Sequence, residues 1–144
     1  MLALRANAGD DRHTLNFRQL GEMAGFGVIS PVIGHLLHPE FGPWVSLRAA
    51  IVCGGAPFGP VDAAPLADFE PCNVCKRPCV AACPAGVYDD ADRPALVRCA
   101  DWRIAGGCEG RCESLRACPI GAEHRYSPEE EAFRQAYSMF RIRR

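Results

Sequence analysis

Cys72, Cys75, Cys79 and Cys83 fall within a dozen positions as C-x2-C-x3-C-x3-C, and Pro84 follows at once. Thiolates are soft ligands, and such a run suits an iron site. A tight loop can bring three thiolates to one cube, while the fourth must come from elsewhere in the chain. Cys79 and Cys83 are four residues apart, so a single helical turn can hand one thiolate to each of two sites. Pro84 ends that turn.

The scheme requires a second set of thiols, and Cys99, Cys108, Cys112 and Cys118 supply it, again closed by a proline, Pro119. The spacing therefore predicts crossed ligation of two [4Fe–4S] clusters. Cys72, Cys75, Cys79 and Cys118 hold the first, and Cys83, Cys99, Cys108 and Cys112 hold the second. Two departures from the common form stand out. Lys76, Arg77 and Pro78 lengthen the first run by one residue, and five residues rather than three separate Cys112 from Cys118. The second departure leaves the assignment of Cys112 versus Cys118 the more open one. Zinc is the alternative, since two sites of four thiolates use the same count and the chain would then be a zinc-stabilised interaction module. The two Cys-Pro units favour iron–sulfur.

Cys53 is left over as a small apolar residue. His35, His38 and Glu40 in "GHLLHPE" form a weak metal candidate with no third partner at telling spacing, and His124 fits a capping or packing role. No nucleophile motif, paired catalytic carboxylate or phosphate-binding loop occurs, so no catalytic residue is assigned; "GGCEGRC" lacks the Lys-Ser/Thr ending of a P-loop.

The charge fits the cluster reading. The chain carries a formal net of -1, and two clusters of roughly -2 each would bring it to about -5. Backbone N–H groups at Gly86, Gly106, Gly107, Gly110 and Gly121 are candidate compensators, as are Lys76, Arg77, Arg103 and Arg111. A balanced charge with no dense basic stripe speaks against a nucleic-acid partner. The first residues, "MLALRANAGDDRH", do not read as a signal peptide, and "MAGFGVISPVIGHLL" is too broken by glycine and proline to span a membrane. A cytoplasmic location is expected, where thiols stay reduced and an odd cysteine count needs no disulfide scheme.

These thiols must be positioned by the elements around them, which together read as an α+β fold. Residues 1 to 13 are expected to be loosely ordered. Asn16 and Gln19 form a capping box that starts a helix at Phe17, running to about Ala24 with Gly25 at C′. Residues 26 to 43 read as an irregular loop. Alternation across "WVSLRAAIVC" predicts a half-buried strand over 44 to 53, with Val45, Leu47, Ala49, Ile51 and Cys53 on one side. A Gly-, Pro- and Ala-rich connector follows, and the module boundary is placed there. The expected division is 1–60, a partial α/β module; 61–126, a double-cluster ferredoxin-like module of short helices and loops; and 127–144, a packing helix. In that helix Ser127, Pro128 and Glu130 form the capping box, and Phe133, Ala136, Tyr137 and Phe140 make one apolar stripe. "RIRR" suits the negative end of its dipole.

The order "EMAGFGVISPVIGHLLHPEFGPWVSLRAAIV", connector, then two Cys-Pro groups resembles the epoxyqueuosine reductase and corrinoid reductive dehalogenase family over roughly residues 15 to 122. That resemblance implies a cobalamin-binding domain joined to a ferredoxin-like domain with two [4Fe–4S] clusters. It places residues 24 to 47 at the end of the corrin-binding domain and makes Cys99 a cluster ligand. About 70 residues precede the first cysteine run, fewer than a complete α/β corrin-binding domain requires. The expectation is therefore an electron carrier serving a redox partner protein. A corrinoid-dependent reductase working as a dimer or with a partner chain is the alternative. Homodimer formation is expected from the shortage of core around a lone strand.

Overall fold

In a computed structural model of the chain, residues 2–5, 16–55, 66, 68–88 and 96–142 are described. The Asn16 carboxamide accepts the N–H groups of Arg18 and Gln19 and starts helix α1, Phe17–Met23. Gly25, at φ 72°, turns the chain out of it, a conformation glycine adopts without steric cost.

Residues 26 to 43, expected to be a loop, instead build much of the core. Strand β2, Val28–Ile29, pairs antiparallel with β3, Leu36–Leu37, in the register Val28↔Leu37 and Ile29↔Leu36. Val32, Ile33, Leu36 and Leu37 are buried. Burial is tolerable because the backbone of the reversal is satisfied: Ser30 N–H donates to the His35 carbonyl, and the Ser30 hydroxyl accepts from Val32 and Ile33 N–H. The glycines and prolines signalled turns correctly, but strands of two residues are too short to leave a periodic trace.

The strand expected over 44 to 53 shrinks to β4, Ala49–Val52, which pairs antiparallel with β1, Leu2–Arg5. Residues 2 to 5 were expected to be loosely ordered; the rest of 1–13 lies outside the described residues. The alternation also misplaces Ile51, which is 62 % exposed. Among the described residues this ribbon has two strands, and a two-stranded ribbon by itself does not fix which face is inside.

The cysteine-bearing segment consists of short helices, as its composition predicts: α2 (Pro71–Val74), α3 (Pro78–Ala81), α4 (Leu96–Ile104) and α5 (Glu113–Arg116), then a 3-10 turn over Ala122–His124. Pro71 and Pro78 each open a helix at the position where a missing N–H costs nothing. The core joins this segment to the hairpin: Val32, Ile33 and Leu37 pack with Cys79 and Cys118, flanked by Phe69, Val80, Leu115 and Ile120. The expected boundary in the connector lies mostly outside the described residues.

Helix α6, Pro128–Ile142, begins as expected, with Glu130 N–H donating to the Ser127 hydroxyl at 3.2 Å. Its orientation is the reverse of the expected one. Glu131 is buried against Arg116, and Arg103 donates to the Ser138 hydroxyl and the Gln135 carbonyl. Arg134 lies over the Tyr126 ring and donates to Ser46. Phe133 and Tyr137 of the apolar stripe, by contrast, are 69 % and 44 % exposed. The Arg116–Glu131 ion pair and the two hydrogen bonds given by Arg103, whose Nε is left without a partner among the described residues, make the polar face the one that docks. Among the described residues no helix is long and apolar enough to cross a membrane.

Candidate metal centre

The nine cysteines are all free thiols. Cys72 on α2, Cys75 just past its end, Cys79 on α3 and Cys118 past α5 line one small cavity, walled by Val32, Ile33, Leu37 and Ile120. Burial pushes the Cys79 thiol up, and the Cys118, Cys72 and Cys75 thiols beside it push it further. Burial likewise raises Cys118, with Cys72 and Cys75 adding to it and Arg125 opposing. Four thiols that repel one another as thiolates in an apolar cavity are a donor set suited to a cationic iron–sulfur core.

The local chain explains how the first run closes. Its extra residue is taken up at Arg77, a non-glycine residue in the left-handed region at φ 53°. That conformation costs roughly 1–2 kcal/mol. It turns the Arg77 N–H toward Cys75 Sγ, 3.4 Å away, and Pro78 then starts α3. Ser30 reaches the same site from the hairpin, with Oγ 3.3 Å from Cys72 Sγ. Because Ser30 Oγ accepts from two N–H groups, its own proton is the one free to point at sulfur. Cys118 is held by a backbone crossing between Gly42 and Gly121. A Cβ on Gly42 would overlap the Ile120 carbonyl, and a Cβ on Gly121 would overlap Phe41.

The structure brings Cys83, Cys99, Cys108 and Cys112 together as a second group. Burial raises the Cys112 thiol, and Cys108, Cys99 and Cys83 raise it further. Cys99 is raised by burial and by Cys83 and Cys108, with the Arg103 guanidinium opposing. Helix α3 separates the two groups: Cys79 lies on it, and Cys83 lies beyond its end in the turn closed by Cys83 N–H to the Val80 carbonyl. The five residues between Cys112 and Cys118 serve the same purpose. They form α5, with Cys112 as its N-cap and Cys118 past its C-cap at Ala117. Ser114 ties α5 to α3 by donating to the Cys79 carbonyl at 2.7 Å. Two short helices side by side thus each send one thiol to each group.

Around the second group, the Trp102 indole lies where a Cβ on Gly107 would stand, which leads the chain into Cys108 at φ 54°. Tyr88 sits among Cys112, Cys83 and Cys99, and burial holds its phenol protonated up to about 12. An open cleft of about 490 Å³ runs from Cys108 past Trp102 and Arg111 to Pro128 and Glu131.

The remaining candidates go elsewhere. His38 Nδ1 accepts the N–H groups of Glu40 and Phe41, which commits it to a turn, while His35 is exposed. His124 packs edge-on against Phe41 with ring centroids 4.8 Å apart. Cys53 is half-buried just past β4 rather than within the strand. Of the expected compensating cations, Arg77 lines the first cavity and Arg103 acts on Cys99, whereas Arg111 pairs with Glu113. Sequence reasoning missed Ser30, Tyr88, Ser114 and Arg125. Only Ser30 left a signal, as a hydroxyl residue before Pro31 at a chain reversal. Among the described residues, no three His, Cys, Asp or Glu side chains are gathered closely enough to hold one metal ion. No family model, curated protein or solved structure matches the chain.

Proposed function

We propose that this chain is an iron–sulfur electron-transfer protein with two [4Fe–4S] clusters, one held by Cys72, Cys75, Cys79 and Cys118 and the other by Cys83, Cys99, Cys108 and Cys112. The observation that carries the reading is the paired use of α3 and α5, each supplying one thiol to both groups of four. Bound clusters supply single-electron transfer. A lone zinc ion would need its four sulfurs about 3.8 Å apart at tetrahedral corners. A cluster core keeps its thiolates wider, which suits thiols arranged around a space rather than a point.

The chain's own residues then divide the work. Val32, Ile33, Leu37 and Ile120 keep water from the first group, and the Ser30 hydroxyl and Arg77 N–H donate toward its sulfurs. Such hydrogen bonds and exclusion of water set reduction potentials. The second group borders the open cleft at Cys108, which makes that face the point of exchange with a redox partner protein. The family resemblance of the sequence supports the same cofactors.

Anaerobic reconstitution with iron and sulfide tests the reading. It predicts about eight irons per chain and a broad band near about 400 nm that bleaches with dithionite. Stoichiometric zinc with no such band would overturn it.

A further inference from the structure

Cys99 and Arg103 stand four residues apart on α4 and so share one face of that helix. A long side chain on a helix leans back toward the N-terminus, which carries the stem of Arg103 over the turn that holds Cys99. The far end of the guanidinium is engaged by α6. Its Nη1 donates to the Ser138 hydroxyl at 2.8 Å, and its Nη2 donates to the Gln135 carbonyl at 3.0 Å. The Nε is buried and has no hydrogen-bond partner among the described residues. A buried donor on a charged group is costly unless an acceptor meets it.

The surroundings name the acceptor. The Ser138 and Gln135 oxygens already take the other two nitrogens, and the Glu131 carboxylate is committed to Arg116. Burial raises the Cys99 thiol, and the Arg103 charge opposes that rise. Sulfur at Cys99 is thus the negative group that the guanidinium already favours. A fixed positive charge beside a cluster ligand stabilises the reduced, more negative state and raises the potential. The first group is served differently. The Ser30 hydroxyl and the Arg77 backbone N–H, both neutral donors, face its sulfurs. Arg125 also acts on Cys118, but it is exposed, and water screens its charge.

We infer that Arg103 is the charged donor that tunes the second group of thiols: its Nε–H donates to sulfur at Cys99, and α6 holds it there by gripping the other two nitrogens. The inference rests on the two-cluster reading and deepens it. It gives α6 a task besides packing, because the helix fixes where the guanidinium charge sits. It also sets the two groups apart, one met by neutral donors from the hairpin and the left-handed turn, the other by a cation clamped between α4 and α6.

An EPR-monitored redox titration of the reconstituted full chain tests the inference. Arg103→Gln removes the charge. It is expected to lower the reduction equilibrium of one cluster by about tenfold, or about 59 mV for one electron. That cluster is the one whose signal Cys83→Ser abolishes, and the other keeps its potential. Arg103→Lys restores most of the loss, because the charge returns even though one ammonium cannot hold both Ser138 and Gln135. Ser138→Ala loses one bond of the grip, melts lower and shifts the potential less than Arg103→Gln does. A fall in Ser138→Ala equal to that in Arg103→Gln would make Arg103 a docking contact only and overturn the inference. Equal shifts of both clusters would overturn it too. Pulsed EPR of the wild-type chain with isotope-labelled guanidinium nitrogens reads the contact without any variant. A labelled nitrogen coupled to the second cluster is expected, and no coupling in a chain carrying about eight irons overturns the inference alone. A chain that binds no iron overturns the proposed function and this inference with it.

Discussion

Gly121→Ala places a methyl group into the one backbone crossing that fixes Cys118. Gly121 has φ 62°, and a Cβ there overlaps the carbonyl carbon of Phe41. The left-handed conformation costs alanine about 1–2 kcal/mol. Forcing a carbon into close-packed backbone adds about 1–3 kcal/mol. A total of about 2–5 kcal/mol is a large part of the roughly 5–15 kcal/mol that holds a domain folded. Neither side of the overlap is a flexible side chain, so relief requires the 119–121 segment to withdraw from Phe41 and Gly42. Cys118 moves with it, away from Cys72, Cys75 and Cys79, while the second group is untouched. The variant is expected to melt about 10 °C lower and, after reconstitution, to carry about four irons rather than about eight. Gly54→Ala is the control: nothing stands within 4 Å of its Cβ, and Gly54 is absent from the positive-φ positions. If Gly121→Ala melts with Gly54→Ala and keeps its full iron content, the crossing does not position Cys118 and the reasoning fails.

Ser30→Ala removes the hydroxyl from Cys72 Sγ, so one of two potentials in an EPR-monitored redox titration is expected to fall while the other stays; equal shifts would count against a local bond to sulfur. Arg116→Ala leaves the buried Glu131 carboxylate without its partner. It should cost about 2–3 kcal/mol in chemical denaturation, below the full buried-pair value because Arg116 keeps some solvent contact. Arg116→Met with Glu131→Leu should recover most of that loss, and a double variant as unstable as the single would exclude the ion pair as the cause. Ser127→Ala deletes the cap at Glu130 N–H and is expected to cost about 1 kcal/mol, read as loss of helical circular dichroism on warming.

Much of the site was legible in the spacing. The two Cys-Pro units separate thiols four and six residues apart, and one short helix between each pair sends them to different ends. Sequence reasoning could not see that Arg77 would absorb the extra residue of the first run, because a left-handed arginine leaves no compositional trace. The hairpin over Val28–Leu37 was hidden for a different reason. Its strands span two residues each, and its stability comes from long-range packing on Cys79 and Cys118 rather than from local pattern. Helix α6 starts at Pro128, where the capping box places it, but docks by the face opposite to the expected one. Its hydrophobic stripe suggested burial, yet partners for Glu131 and Arg103 on α5 and within the α4–α6 contact made the polar face the inner one. A moment along one helix cannot report charges that other helices bring to it.

Iron and acid-labile sulfide counted in reconstituted Cys118→Ser, Cys112→Ser and the double variant test the crossed two-cluster account most directly. Each single variant is expected to retain about four irons and the double variant none. The clusters lost should differ, with Cys118→Ser sharing its EPR signature with Cys79→Ser and Cys112→Ser with Cys83→Ser. Identical signatures for Cys118→Ser and Cys112→Ser, or a wild-type chain that binds zinc in place of iron, would contradict the account.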